Sequence, residues 1–190
     1  ARVGGLGQMY FSSDGDKMAY SSWYTFSEGG QKIAIMNFDR ATGAISNYNE
    51  QILNGSTFSH GVSWSPNGRF LYGTDSEILY QYDTWSDDVI GSRLSIEEWD
   101  GFEYFFTDDM TPDTGWAAKF GWMGLAPDGK IYITSTAGSS RVMHKINNPN
   151  LLGAACDMDQ HSVYLPTVHA RTMPNFPNFR LGPLDDSPAD

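Results

Sequence analysis

The stretch Leu125–Thr136, LAPDGKIYITST, decides how the chain is read. Asp128-Gly129 tolerates the positive φ angles of a tight reversal, and Pro127 fixes its own φ for the turn. After the turn the pattern has period two, with Ile131 and Ile133 alternating with Tyr132 and Thr134, as in a strand with two different faces. The same phrase occurs twice more, as FSSDGDKMAYSS from Phe11 and WSPNGRFLYGTD from Trp64. Hairpins are therefore expected to turn at Asp14-Gly15, Asn67-Gly68 and Asp128-Gly129.

Each hairpin is followed by a further apolar strand closed by an Asp or Asn turn: QKIAIMNFDRATGAIS, SEILYQYDTWSDDVIGS and SRVMHKINNPNLLGAA. Gly15, Gly68 and Gly129 stand 53 and 61 residues apart, close to the roughly 40 to 50 residues of a propeller blade. The chain thus reads as all-β, with about three β-propeller blades near residues 8–58, 59–115 and 116–180 and a C-terminal tail at 181–190. No stretch carries a helical apolar stripe. Natural propellers close with about 4 to 8 blades, so further blades are expected from the same precursor or from another subunit.

Composition agrees. The 190 residues include 20 glycines and 9 prolines, with 14% aromatic content, which suits many short strands joined by tight turns. The net charge of −11 argues against nucleic acid and anionic membrane surfaces as partners. Between Phe70 and Ala118 twelve acidic residues face one basic residue, Arg93. No apolar run approaches the ~20 residues of a membrane span. The chain opens on Ala1-Arg2-Val3 without an initiator Met or a signal peptide, as a processed chain or a piece of a longer one would. Cys156 is the sole cysteine, so no internal disulfide is expected.

The third repeat, MGLAPDGKIYITST with SSRVMHKINNPNLLGAACDM, and the run YLPTVHARTMPNFPNFRLGPLDDSPAD resemble segments of secreted, cell-surface β-propeller proteins of the Bacteroidetes. Such proteins often carry type IX secretion or gliding-motility-associated C-terminal sorting domains. The first two repeats match only the general WD-repeat-like or lactonase-like pattern. The resemblance implies export and a role in adhesion or extracellular recognition more than catalysis, and it brings no catalytic residue. It also implies a Cys near the C-terminus where this chain has Ala189, which leaves Cys156 unpaired.

Candidate chemistry is sparse. The histidines 60, 144, 161 and 169 are scattered, without zinc-ligand spacing. His60 reads as a structural tie between strands and His144 as a satisfied core or face residue of a strand. Ser63 and Ser65 lie in the repeat motif, and no Gly-x-Ser-x-Gly elbow is present. Asn54-Gly55-Ser56 has the form of a glycosylation sequon. Asp108, Asp109 and Asp113, within six residues of TDDMTPDTG, are the hard oxygen ligands that Ca²⁺ uses. The segment from Arg93 to Trp122 is expected to be an insertion carrying recognition, with Trp99 and Trp116 offering stacking faces beside carboxylates, as an extracellular glycan or protein partner would require. The expected function is a secreted or cell-surface binding or structural module, with no catalytic residue assigned. The alternative is a lactonase-like hydrolase with a metal in the central channel, which would show acids and histidines converging there.

Overall fold

The structure is a computed structural model and describes residues 6–24, 30–53, 61–105, 115–137 and 139–173. The described residues form fourteen β-strands, one short 3₁₀ turn at Gly153–Cys156 and no α-helix. The strands make four antiparallel sheets, none closed into a barrel. Sheet 1 is the meander β1 (Leu6–Phe11), β2 (Lys17–Tyr24), β3 (Gly30–Phe38) and β4 (Ile45–Leu53). Sheet 2 is β5 (Val62–Trp64), β6 (Phe70–Thr74), β7 (Ile78–Asp83) and β8 (Leu94–Glu98). A two-stranded hairpin, β9 (Glu103–Phe105) with β10 (Gly115–Ala117), precedes sheet 3, formed by β11 (Phe120–Leu125), β12 (Ile131–Ser135), β13 (Ser140–Ile146) and β14 (Met158–His169).

The three expected turns join the first two strands of sheets 1, 2 and 3. Gly15, Gly68 and Gly129 have φ of 76°, 71° and 81°, the left-handed region in which glycine carries no Cβ penalty. The first two turns share one polar design. Ser12 Oγ accepts the Lys17 N–H at 3.0 Å, and Ser65 Oγ accepts that of Phe70 at 2.8 Å. Ser65 Oγ also donates to Asn67 Oδ1 at 2.7 Å, so its role is turn formation, as expected. The third turn is one residue tighter, closing between Ala126 and Lys130 rather than between counterparts of Ser65 and Phe70.

Packing follows from strand alternation. In β6, all five residues are buried, because both faces of sheet 2 are covered. Leu71 and Tyr82 point towards sheet 1, where they meet Ala19, Ile33, Ile35 and Leu53. Phe70, Tyr72 and Leu79 point the other way, onto Phe120, Met123, Ile131, Ile133 and Ile146 of sheet 3. Burying each such side chain contributes on the order of 1.5–3 kcal/mol, so these two interfaces are the main source of cohesion. The first strands of the three sheets also meet. Gln8 of β1 accepts the N–H groups of Val62 (3.1 Å) and Met123 (3.3 Å) and donates to the Met123 carbonyl at 2.7 Å. β5 and β11 approach so closely at Gly61 that a Cβ there would lie 2.2 Å from the Gly121 carbonyl oxygen.

The INNPN and GAAC motifs form a strap from sheet 3 onto sheet 2. Tyr72 donates its hydroxyl to the Pro149 carbonyl (2.9 Å), Gln81 donates to Leu151 (2.8 Å), and the Gly153 N–H donates back to Gln81 (2.8 Å). Cys156 ends this strap, free and fully buried against Tyr72 and Phe120. Burial pushes its thiol pKa up. The border drawn in the sequence between residues 115 and 116 falls inside the β9–β10 hairpin, which belongs to neither neighbouring sheet. The tail at 181–190, Ala189, His60 and the Asn54 sequon lie outside the described residues.

Two outcomes are expected. Gln8→Leu leaves two buried N–H groups without an acceptor, at about 1–3 kcal/mol each, so its urea midpoint should fall while the far-ultraviolet spectrum stays that of a β protein. Thiol titration should find one reactive group per chain in unreduced, denatured protein and a strongly retarded reaction in the native state.

Candidate binding site

The chain between sheets 2 and 3 spans the outer rim where those sheets meet. β8 pairs with β7 as the last strand of sheet 2, and β11 is the first strand of sheet 3. The insertion is therefore narrower than the expected Arg93 to Trp122 and comprises residues 99–119. Arg93 immediately precedes β8 and stacks over Tyr80 of β7 at 5.0 Å, which ties it to sheet 2 rather than to the insertion. Backbone bonds fix both ends: the Trp99 N–H donates to Glu77 (2.7 Å), and that of Phe120 donates to Ser76 (2.8 Å). Asp100 makes an Asx turn, its carboxylate accepting the Phe102 N–H at 2.9 Å, while Gly101 takes φ of 90°.

The two expected tryptophans differ in environment. Trp99 is half-buried against the core between sheets 2 and 3. Its indole N–H donates to the Phe102 carbonyl at 3.3 Å, and the Lys119 ammonium stands 4.9 Å over its ring. Lys119 is paired with Glu77. Trp116 lies on β10 with 42% of its surface exposed. It sits directly across from Tyr104 of β9, and Tyr104 in turn lies 6.3 Å from Tyr164 of β14, at an interplanar angle of 57°. Tyr164 is 65% exposed. Sequence alone did not single out these two tyrosines as partners of Trp116, because Tyr164 lies 48 positions away in the chain and only the pairing of β14 with β13 brings it here. Asp108, Asp109 and Asp113 fall in the β9–β10 connection, outside the described residues. Among the described residues no group of three His, Cys, Asp or Glu side chains could hold a metal ion.

Polar groups line the inner border of this surface. Gln160 of β14 donates to the Glu98 carbonyl (2.8 Å) and to the Glu97 carboxylate (3.2 Å), and it accepts the Asp100 N–H (3.3 Å). His161 stacks on Phe102 with centroids 4.2 Å apart, and its Nε2 lies 2.9 Å from Asp100 Oδ2. Burial raises the Asp100 carboxyl, but the Phe102 N–H and His161 outweigh it and hold the pKa below its usual value. His161 has φ of 39°, an irregularity that aims its N–H at Nδ1 of the buried His144 (3.0 Å). His144 accepts there and is thus the neutral Nε2–H tautomer. Burial, and next His161, lower its pKa to about 4, the Ala118 carbonyl only partly opposing them. Its Nε2 has no partner in hydrogen-bonding geometry. His144 packs edge-on to Phe120 at 5.0 Å, a core position as expected, although its hydrogen bonding is satisfied only at Nδ1. These histidines lie on β13 and β14, the last two strands of sheet 3, whereas the polar side chain where the first strands meet is Gln8.

No family model matches the chain, and no curated protein matches it. Among solved structures, hydrazine synthase of Kuenenia stuttgartiensis is similar to it at 14% identity with a TM-score of 0.48, over 87% of this chain. The match spans 38% of that protein's chain.

His144 generates a pH prediction. Its folded pKa of about 4 lies below the ordinary ~6.5 of an unfolded histidine, so the unfolded state binds the extra proton first. Stability is then expected to fall as pH drops from about 6.5 to about 4, by up to about 3 kcal/mol, and to level off below for this group. Urea unfolding at a series of pH values, with His144→Gln for comparison, checks this: the variant should be less stable at pH 7 and lose that part of the pH slope.

Proposed function

We propose that the chain is a segment of a β-propeller acting as a secreted or cell-surface binding module, with the insertion at residues 99–119 as its recognition element and an extracellular glycan as its ligand. Three equivalent four-stranded meanders, stacked face to face with their first strands meeting at Gln8, support the propeller reading. The resemblance of the third repeat to Bacteroidetes surface propellers, some exported by type IX secretion, supports export and adhesion.

The observation that carries the ligand is the exposed Trp116 beside Tyr104 and Tyr164. Three rings from three strands give an aromatic surface onto which sugar rings stack, and the Asp100 carboxylate and Gln160 amide lie in the adjoining loop and strand as groups of the kind that bind hydroxyls. Trp99, with Lys119 over its ring, packs on the core between sheets 2 and 3 and anchors the start of the insertion. A Ca²⁺ ion held by Asp108, Asp109 and Asp113 would offset the repulsion among these carboxylates.

Titration of the native chain with soluble neutral polysaccharides, followed by tryptophan fluorescence, tests the reading. Trp116→Ala should weaken binding by about tenfold or more, equivalent to about 1.4 kcal/mol. Trp85→Ala, at an exposed tryptophan over which Arg69 stacks, should leave it unchanged. Saturable binding that survives Trp116→Ala, or none by the native chain, would refute the glycan site. Calorimetry with Ca²⁺ should give heat for the native chain and none for the Asp108→Ala, Asp109→Ala double variant.

A further inference from the structure

The ladder between β13 and β14 is interrupted at one place. Met143 faces Val163 and Lys145 faces Asp159, so His144 alone stands opposite the three residues Gln160, His161 and Ser162. The surplus makes a bulge, a feature that re-aims side chains. At its centre His161 takes φ of 39°, a backbone conformation that persists only where the surroundings impose it. Here the His144 ring imposes it, Nδ1 accepting the His161 N–H at 3.0 Å.

The bulge in turn holds the base of the insertion. Gln160 accepts the Asp100 N–H and donates to the Glu98 carbonyl, while His161 bonds the Asp100 carboxylate at 2.9 Å and stacks on Phe102. Phe102 closes the foot of the β9–β10 hairpin, its carbonyl accepting both the Trp99 indole N–H and the Ala118 backbone N–H. Among the described residues β9 and β10 pair with each other alone. Moving the hairpin therefore breaks no ladder of the three larger sheets.

We propose that His144 is a proton-operated latch: neutral, it keeps the bulge and the base of the insertion docked on sheet 3, and protonated, it releases both while the three larger sheets stay folded. The proton comes from solvent and takes the Nδ1 lone pair that the His161 N–H uses. A ring with hydrogens on both nitrogens has nothing to offer a donor. The ring is fully buried, its Nε2 has no partner in hydrogen-bonding geometry, and the Ala118 carbonyl at the foot of the insertion stands beside it. Releasing that foot brings the imidazole to water, and a local opening needs less free energy than global unfolding.

The titratable groups facing His144 are His161 and His169 from β14, which oppose its charge, and Asp100 from the insertion, which favours it; β11 and β12 present Phe120 and Ile133. His161 itself faces Asp100 and His144, with Glu97 of β8 reached through Gln160. Protonated, His161 still donates to Asp100, so the latch turns on His144. Burial, first of all, holds the docked ring at a pKa of about 4. Once released, it takes a proton at the ordinary ~6.5, so the release equilibrium rises by up to about 300-fold as pH falls from about 6.5 to about 4. As a control on binding this rests on the recognition reading of the insertion, whereas the latch itself does not.

An amide-resolved NMR titration of the native chain from about pH 7 to about pH 3.5, with the His144 ring signals followed alongside, tests the latch. Amides of residues 99–105, 115–119 and 160–162 should change together on the midpoint of the His144 ring, while those of β2, β3 and β6 keep their folded positions. Insertion amides that follow another midpoint, or that change only when the whole chain unfolds, would overturn it. His144→Asn keeps an acceptor near the position of Nδ1 without the titration, so its insertion should stay docked to a pH at least about one unit lower than in the native chain. His144→Leu, which has no acceptor, should show the released spectrum at neutral pH; if it does not fold, the asparagine variant decides alone. A docked leucine variant, or a native transition in the asparagine variant, would count against the latch. Soluble neutral polysaccharide added on both sides of the transition separates the two proposals. A transition without any polysaccharide binding at neutral pH would refute the glycan site and leave the latch standing, and binding that persists after release would overturn its control of that site.

Discussion

Burial of both faces of sheet 2 is the constraint on which the rest of the molecule depends. A lone four-stranded antiparallel sheet can hide one face at most by folding its own side chains over it, and stacking is what hides both. In β6 the alternation Phe70, Leu71, Tyr72 sends successive side chains to opposite neighbours, so one strand joins two hydrophobic clusters. Sheets 1 and 3 are placed by that strand. The INNPN strap, gripped by Tyr72 and Gln81, then fixes the angle between sheets 2 and 3 from the side.

Gln8 adds direction to this packing. Apolar faces slide easily, because dispersion and hydrophobic burial are not directional. One amide bonded to Val62 and Met123 permits one register of the three first strands, since any shift would leave buried N–H groups without acceptors. The close approach at Gly61 has the same effect sterically. Stability thus comes mainly from the faces, and uniqueness from a few polar groups where the strands meet.

The rim surface inherits its shape from the sheets. Trp99 and Phe102 anchor the insertion at the sheet 2–sheet 3 junction, and β9 and β10 then carry Tyr104 and Trp116 outward to meet Tyr164. His161 and His144 connect this surface to the core through a strained backbone position and a buried neutral imidazole. Such ties would lower the ordering cost of the ligand binding proposed for the aromatic faces. The acidic run of the middle third, legible as composition, resolves partly into ties such as Asp100 to His161 and Glu97 to Gln160.

Sequence by itself determined the local elements. The three Asx-Gly reversals, the alternating strands after them and the all-β class follow from turn stereochemistry and side-chain period, which depend on neighbours a few residues away, and the lack of an internal disulfide follows from the single cysteine. The presence of an aromatic and acidic insertion was also legible, because the second spacing exceeds the first. Tertiary structure decided what no neighbour rule contains. It drew the insertion in to residues 99–119 by placing Leu94–Glu98 in sheet 2 and Trp122 in sheet 3. It set Trp99 under Lys119 and Trp116 in the open, and it brought Tyr104 and Tyr164 together. It also chose the faces: the tighter third turn shifts strand parity by one, so Ile131 rather than Tyr132 faces sheet 2. A one-residue change inverts every side chain on a strand, and only packing against a distant sheet reveals which inversion is the folded one.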